Sequence, residues 1–128
     1  MKILVVEDHP AICEVIALTL RARAHEVLFA RDTDGALSLL ETHRPDLAIL
    51  DVTIPGWLDG YEICRYIRGH DGLHHTHVYM LTALDSAQYV QRGRQVGADR
   101  YFVKPFSPGE ILLAIDELSA TRTSGLVS

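Results

Sequence analysis

Nowhere in these 128 residues is there a run of the roughly 18–20 apolar residues that a bilayer-spanning helix needs. Cysteine is scarce as well. Cys13 and Cys64 offer neither a disulfide framework nor a metal-ligand spacing, so two reduced thiols are expected. A long basic run is also missing. Twelve Lys+Arg stand against seventeen Asp+Glu, and the net charge of −5 makes nucleic acid and anionic membrane poor direct partners. No secretory cleavage pattern follows Met1, which sets the expectation of a cytoplasmic address. There is no low-complexity segment. What remains is 48% apolar, an ordinary globular composition, in a length suited to one domain that buries well over half of its unfolded surface.

What is present is a rhythm of short apolar runs alternating five times with helical patterns. That is the signature of repeated βα units and a parallel sheet, an α/β fold. From about Pro10 to Ala24, Ile12, Val15, Ile16 and Leu20 share one helical face. Glu26–Ala30 reads as a second strand, and Asp32 caps a helix carrying Ala36, Leu37, Leu39 and Leu40. Arg44-Pro45 ends it, because proline disfavours helical geometry in the residue before it. A helix from about Gly60 to Arg68 follows the third strand, and His70–Thr76 reads as a polar loop. A fourth helix begins at a capping box, Asp85-x-x-Gln88, and is loosened by Gly93, at about 1 kcal/mol relative to alanine. Ser107-Pro108-Gly109-Glu110 opens the last helix, with Ile111, Leu112 and Ile115 facing the core. Residues 1–120 form the domain, and 121–128 lose periodicity, as a disordered tail or the start of a linker.

Each apolar run ends in a charged or hydroxyl side chain. Lys2–Val6 leads into Glu7 and Asp8, Leu47–Leu50 into Asp51, Val78–Leu81 into Thr82, and Tyr101–Val103 into Lys104. The carboxyl ends of parallel strands share one sheet edge, so these groups should converge there. Alone, each has a plain structural reading: a solvated helix start, a loop-capping hydroxyl, a solvated lysine. Asp51 is the exception, because a carboxylate directly after a fully apolar strand does not follow from surface alternation. Three carboxylates would repel one another, and one ammonium leaves two negative charges over, which a divalent cation with oxygen ligands balances. Mg²⁺ suits such a site, with Mn²⁺ as a substitute. A carboxylate nucleophile at Asp51 can form an aspartyl phosphate. The cation, Lys104, and Thr82 with backbone N–H groups would then each take one phosphoryl oxygen.

These residues give the chain a resemblance to the receiver domain of two-component response regulators over roughly residues 1–120. The matching set is Glu7-Asp8, Asp51, Thr82-Ala83 and Lys104-Pro105-Phe106, with Gly97-Ala98-Asp99 before the fifth strand. The resemblance implies a flavodoxin-like (βα)5 fold, its five parallel strands in the order 2-1-3-4-5 with helices on both faces. It implies that Asp51 takes a phosphoryl group from a sensor histidine kinase or a histidine phosphotransfer protein, and that the chain is not an enzyme acting on a separate substrate. Glu7, Asp8, Asp51 and the Thr53 carbonyl would hold the metal. The Lys104–Pro105 bond matches one that is cis in the family, and Cys13 and Cys64 would lie on opposite faces. Tyr101 matches the switch aromatic, and Gly93 and Tyr101 belong to an output face made of the fourth helix, fifth strand and fifth helix, serving a downstream effector that the sequence does not identify. On phosphorylation Thr82 would move toward the phosphoryl group and Tyr101 would swing inward behind it; the alternative for Tyr101 is an aromatic half-buried on an edge strand.

Departures from the family pattern carry expectations of their own. Asp51 to Asp59-Gly60 is one residue longer than usual, which would bulge the loop and bring Trp57 to the pocket mouth, unless it folds onto the third helix. Leu84 can neither orient nor activate a water, so the phosphoryl group should be of ordinary or long lifetime. His70, His74, His75 and His77 match no metal template and read as a solvated loop. Arg92 and Arg94 could form inter-subunit ion pairs with Asp99, Asp116 or Glu117, but the last helix lacks a basic residue between Glu110 and Ala120, so a monomer or weak dimer is expected. Ile12, Cys13 and Val15 mark a partner face beside the acidic edge. A phosphatase of the haloacid-dehalogenase type needs a second acid where Thr53 stands, and in a flavodoxin-type cofactor site the Glu7-Asp8-His9-Pro10 loop would repel phosphate. The remaining rival is a degenerate receiver acting as a binding-only module.

Overall fold

The computed structural model describes residues 1–82, 87–104 and 107–127, with the backbone alone at 87–90 and 122–127. Five strands, β1 (Lys2–Val6), β2 (Glu26–Ala30), β3 (Leu47–Asp51), β4 (His77–Thr82) and β5 (Arg100–Val103), form one parallel sheet in the order β2-β1-β3-β4-β5. The central strands can be apolar throughout because both of their faces are covered. Alternate residues divide between two cores. Leu4, Val6, Ala48, Leu50 and Met80 pack with Ala36, Leu40, Ile63, Cys64 and Ile67 of α2 (Thr33–His43) and α3 (Gly60–Gly69). Ile3, Val5, Leu47, Ile49 and Leu81 pack with Ile16, Leu20, Ile111 and Ile115 of α1 (Pro10–Arg21) and α5 (Pro108–Val127). This flavodoxin-like (βα)5 arrangement agrees with the expected class and strand order. Cys13 on α1 and Cys64 on α3 are both free and belong to opposite faces, as expected.

Register carries the strand ends to one edge. Val6 pairs with Leu50, Asp51 with Leu81, and Thr82 with Val103, so Glu7, Asp51, Thr82 and Lys104 all lie where the strands finish. Asp32 caps α2 by accepting from the Gly35 N–H, and Asp59 with Glu62 forms a reciprocal capping box on α3. The Ser107 hydroxyl accepts from the Glu110 N–H, one half of the expected box on α5. α4 (Ala87–Gln95) carries Gly93 in its interior. The Asp85-x-x-Gln88 box, Ala83, Leu84, Pro105, Phe106 and the bond expected to be cis between Lys104 and Pro105 lie outside the described residues.

Several expectations need correction. α1 stops at Arg21 rather than Ala24, since Ala24 takes a left-handed φ of 62°. On that helix Val15 is 45% exposed while Ala17 is buried, so the inward face is Ile16, Ala17 and Leu20, with partly buried Ile12 packed against the same core as expected. The His70–Thr76 stretch contains a 3₁₀ turn at Asp71–Leu73, anchored by buried Leu73 and by a Thr76 hydroxyl bonded to the Pro45 carbonyl. The backbone from Thr121 to Val127 continues α5 instead of leaving it as a disordered tail. The Thr121 hydroxyl donates back to the Glu117 carbonyl, no proline follows Pro108, and each further helical residue adds a hydrogen bond. Among the described residues no helix is long and apolar enough to cross a membrane.

Candidate functional site

Glu7 continues the line of β1, its N–H donating to the Ala30 carbonyl at 3.1 Å, and its side chain is fully buried. Asp51 closes β3 at 4% exposure, its Oδ1 accepting from the Thr53 N–H at 3.0 Å. The first turn of α3 crowds onto this strand end. A Cβ at Gly60 would lie 2.9 Å from Val52 Cα and closer still to the Asp51 carbonyl, so only glycine fits. Lys104 follows β5, where its N–H donates to the Thr82 carbonyl at 2.7 Å. From there its ammonium donates to Asp51 Oδ2 at 2.8 Å and to Glu7 Oε2 at 2.9 Å. Residues 7, 51 and 104 therefore meet at one point of the sheet edge.

Asp8 stands at the rim of this cluster, and Asp8 Oδ1 is buried with no hydrogen-bond partner. His9, which the sequence reading passed over, completes the rim. Its ring Nδ1 lies 2.9 Å from Glu7 Oε1 and 3.3 Å from Asp8 Oδ1. Glu7, Asp8, His9 and Asp51 each offer one ligand atom, all within 4.8 Å of one another. A buried acceptor that makes no hydrogen bond, among converging carboxylates, fits a divalent cation with oxygen ligands. The signal for His9 was its place directly after the acidic pair.

The charges shape one another. Burial pushes the Asp51 carboxyl up, and the Lys104 bond opposes this only in part. Burial pushes Glu7 in the same direction, but bonds from Lys104, Asp51 and His9 together bring it below the usual range. Burial would lower Lys104, yet its bonds to Asp51 and Glu7 raise it.

Thr82 ends β4 at 1% exposure, and its side chain hydrogen-bonds Tyr101. Tyr101 is already turned in. It is half-buried, its hydroxyl lies 3.2 Å from that of buried Tyr61, and burial followed by the Tyr61 bond pushes its own ionisation upward. A Cβ at Gly93 would fall 2.8 Å from Tyr101 Cδ2, so α4 can lie against the ring only because residue 93 is glycine. Arg92 stacks over Tyr61 at 4.5 Å from its centroid and reaches Asp59 at 4.0 Å. The acids proposed as partners across subunits are engaged within the chain: Asp99 with Arg68, Asp116 with Arg23, and Glu117 with Arg100.

Trp57 turns toward α2 rather than α3. It is 66% exposed, and its Nε1 donates to Asp34 at the start of α2. The extra loop residue is absorbed on that side by buried Thr33, whose hydroxyl donates to the Leu58 carbonyl and accepts from the Leu58 N–H. Thr33→Val should cost about 1–3 kcal/mol by leaving both Leu58 groups unpaired. Urea denaturation checks this, and an unchanged midpoint would mean that water replaces the hydroxyl. Of the four histidines expected in a loop, His70 closes α3, His74 and His75 lie in the turn after Leu73, and His77 opens β4. His70 Nδ1 accepts from the Gly72 N–H, His75 bonds the Arg44 carbonyl, and none joins a metal-holding group among the described residues.

Comparisons with known proteins converge. A family model described as the response regulator receiver domain matches residues 3–116. The alkaline phosphatase synthesis transcriptional regulatory protein PhoP of Bacillus subtilis is 40% identical over 110 residues, 86% of this chain and 45% of that protein. The DNA-binding response regulator MtrA of Mycolicibacterium smegmatis is 35% identical over 114 residues, 89% of this chain and 48% of that protein. The chain spans about half the length of the curated relatives it matches. The solved chemotaxis response regulator CheY4 of Vibrio cholerae superposes with a TM-score of 0.81 at 34% identity, covering 91% of this chain and 95% of that one.

Proposed function

Since this chain belongs to the response regulator receiver domain family, we propose that Asp51 is its phosphoacceptor and Lys104 its charge partner. The observation that carries this reading is the Lys104 ammonium bonded to both Asp51 and Glu7 beside a buried oxygen of Asp8 that accepts no hydrogen bond. An Asp51 oxygen attacks the phosphorus of a phosphohistidine, the P–N bond breaks, and the imidazole leaves with the electron pair and takes up a proton. Glu7, Asp8, Asp51 and the Thr53 carbonyl hold Mg²⁺ or Mn²⁺, which when bound neutralises charge on a phosphoryl oxygen. Lys104 serves a second oxygen, and the Thr82 hydroxyl a third.

The donor is a sensor histidine kinase or histidine phosphotransfer protein, docking beside Ile12, Cys13 and exposed Val15 at the start of α1. Residues 1–120 are the receiver unit, and 121–128 lead outward from it. The protein acts as a cytoplasmic monomer or weak dimer without direct nucleic-acid or membrane contact, passing the signal to a downstream effector through α4, β5 and α5. Its only chemistry is its own phosphorylation and slow autodephosphorylation. Acetyl phosphate with Mg²⁺ should add one phosphoryl group, labile to hydroxylamine and persisting beyond seconds. No uptake would mark a degenerate, binding-only receiver.

Capture of the Thr82 hydroxyl by the phosphoryl group would break its bond to Tyr101, and the ring would settle further toward the vacated space. Chemical shifts of Thr82, Tyr101 and residues 85–97 should move when a beryllofluoride phosphoryl mimic binds. Gly93→Ala, which presses a methyl group into the Tyr101 ring, should shift Tyr101 before any mimic is added and shrink the response. A wild-type spectrum unchanged outside the pocket would refute this switch.

A further inference from the structure

Among the described residues, His9 is a polar group at the pocket that phosphoryl transfer leaves without a task. It is the N-terminal flank of α1, yet it makes no side-chain cap bond, so helix formation does not explain its position. Its ring is held over the acids instead, with Nδ1 at 2.9 Å from Glu7 Oε1 and 3.3 Å from Asp8 Oδ1. These separations have a specific meaning. In an octahedron with bonds of about 2.1–2.2 Å, adjacent ligands are about 3.0–3.1 Å apart. Both separations fall close to such an edge, and Asp51 completes a group whose ligand atoms all lie within 4.8 Å. Glu7 divides its two oxygens accordingly: Oε2 accepts from Lys104, and Oε1 lies on the His9 side.

We infer that His9 Nδ1 is a direct ligand of the cation bound in this pocket, making the site mixed nitrogen and oxygen and biasing it toward a divalent transition ion such as Mn²⁺ over Mg²⁺. The inference rests on the cation site proposed above and adds the nitrogen to it. Ligation needs the Nδ1 lone pair, with the ring proton on Nε2. The side chain is 66% exposed, so water can satisfy that proton. The hydrogen bond now joining Nδ1 to Glu7 is replaced when both atoms bind one ion. Imidazole suits transition ions, whereas Mg²⁺ favours carboxylate, carbonyl and water oxygens, so the added nitrogen separates ions that an all-oxygen site distinguishes weakly.

The test uses the full chain loaded with Mn²⁺ and observed by electron spin-echo spectroscopy, beside Mn²⁺ and Mg²⁺ titrations of wild type, His9→Ala and Asp51→Ala. The expected result is coupling of bound Mn²⁺ to a directly bonded nitrogen in wild type and its disappearance in His9→Ala. The Mn²⁺-to-Mg²⁺ affinity ratio should fall about 10-fold or more in that variant, a loss on the scale that even outer partners of a metal can cause. Mn²⁺ that binds wild type, weakens in Asp51→Ala and shows no nitrogen coupling would overturn the His9 ligand and leave the oxygen site standing. Mn²⁺ that fails to bind, or binds regardless of Asp51, would overturn the cation site itself and His9 with it. Because His9 makes no cap bond, His9→Ala should fold as wild type does, and circular dichroism checks this directly.

Discussion

Asp51→Ala is expected to reduce phosphoryl uptake from acetyl phosphate or a phosphohistidine donor to background. The pocket holds three carboxylates, so the choice among them has to be argued. Glu7 is fully buried between Lys104 on one oxygen and His9 on the other, so an incoming phosphorus has no approach to it from solvent. Asp8 lies at the rim, where among the described residues it meets the His9 ring at 3.3 Å but no lysine, so it lacks the ammonium that Asp51 has. Asp51 alone combines a strand-end position, an ammonium at 2.8 Å on Oδ2 and a backbone N–H on Oδ1 that fixes its rotamer. Mass spectrometry after acetyl phosphate treatment reads the outcome. A hydroxylamine-labile phosphoryl group that persists in Asp51→Ala and maps to Glu7 or Asp8 would move the acceptor. Asp51→Asn is the companion variant. It keeps the shape and one of the two acceptor oxygens, puts an NH2 group in place of the other, and removes the nucleophile, so it should still fail to take the group.

That Asp51 could be singled out before any coordinates follows from how central parallel strands read. Both faces of β3 are covered, so Leu47–Leu50 is unbroken apolar sequence, and the carboxylate that ends it has no surface to alternate onto. Glu7, Thr82 and Lys104 were legible by the same logic, and parallel pairing does the rest by bringing strand ends to one edge. Strand order was not legible from periodicity. Which strands neighbour one another depends on pairings dozens of residues apart, and the order came from the family resemblance alone. Other misses share a cause. Helical spacing placed Val15 inward and Ala17 nowhere, because it cannot tell which of two adjacent stripes the sheet covers. Trp57 was drawn toward the pocket by counting loop residues, whereas the loop is governed by Thr33, buried on a different helix and 25 residues away from Leu58. His9 escaped because its meaning lies in Nδ1 distances, which sequence does not contain. The end of α5 was misjudged because weak helix formers still extend a helix that is already nucleated and docked.

Lys104→Met should produce the largest loss of stability of any single change at the pocket, about 3–5 kcal/mol in cation-free buffer near neutral pH. Methionine roughly keeps the volume but leaves buried Glu7 and Asp51 facing each other with no cation between them. Two like charges at such burial cannot both stay ionised cheaply, so both carboxyls should titrate above their ordinary values of 4.5 and 3.8 in the variant. A group raised in the folded state contributes stability that is complete below its unfolded pKa and is lost as pH rises through the folded one. The variant should therefore recover as pH falls toward 4. Wild-type Glu7 runs the other way: its depressed pKa contributes stability above 4.5 that is lost as pH falls. The two stability curves should converge in acid and diverge toward neutrality. At the alkaline end, the raised Lys104 pKa gives the wild type a contribution complete below 10.5 and lost above it, a limb the variant lacks. Mg²⁺ or Mn²⁺ should stabilise Lys104→Met more than wild type, since the ion then supplies the only positive charge between the acids. Urea denaturation from pH 4 to pH 8, with and without the ion, measures all of this. A deficit that stays constant across pH and ignores the ion would show that Lys104 serves the fold through its hydrocarbon stem rather than through its charge.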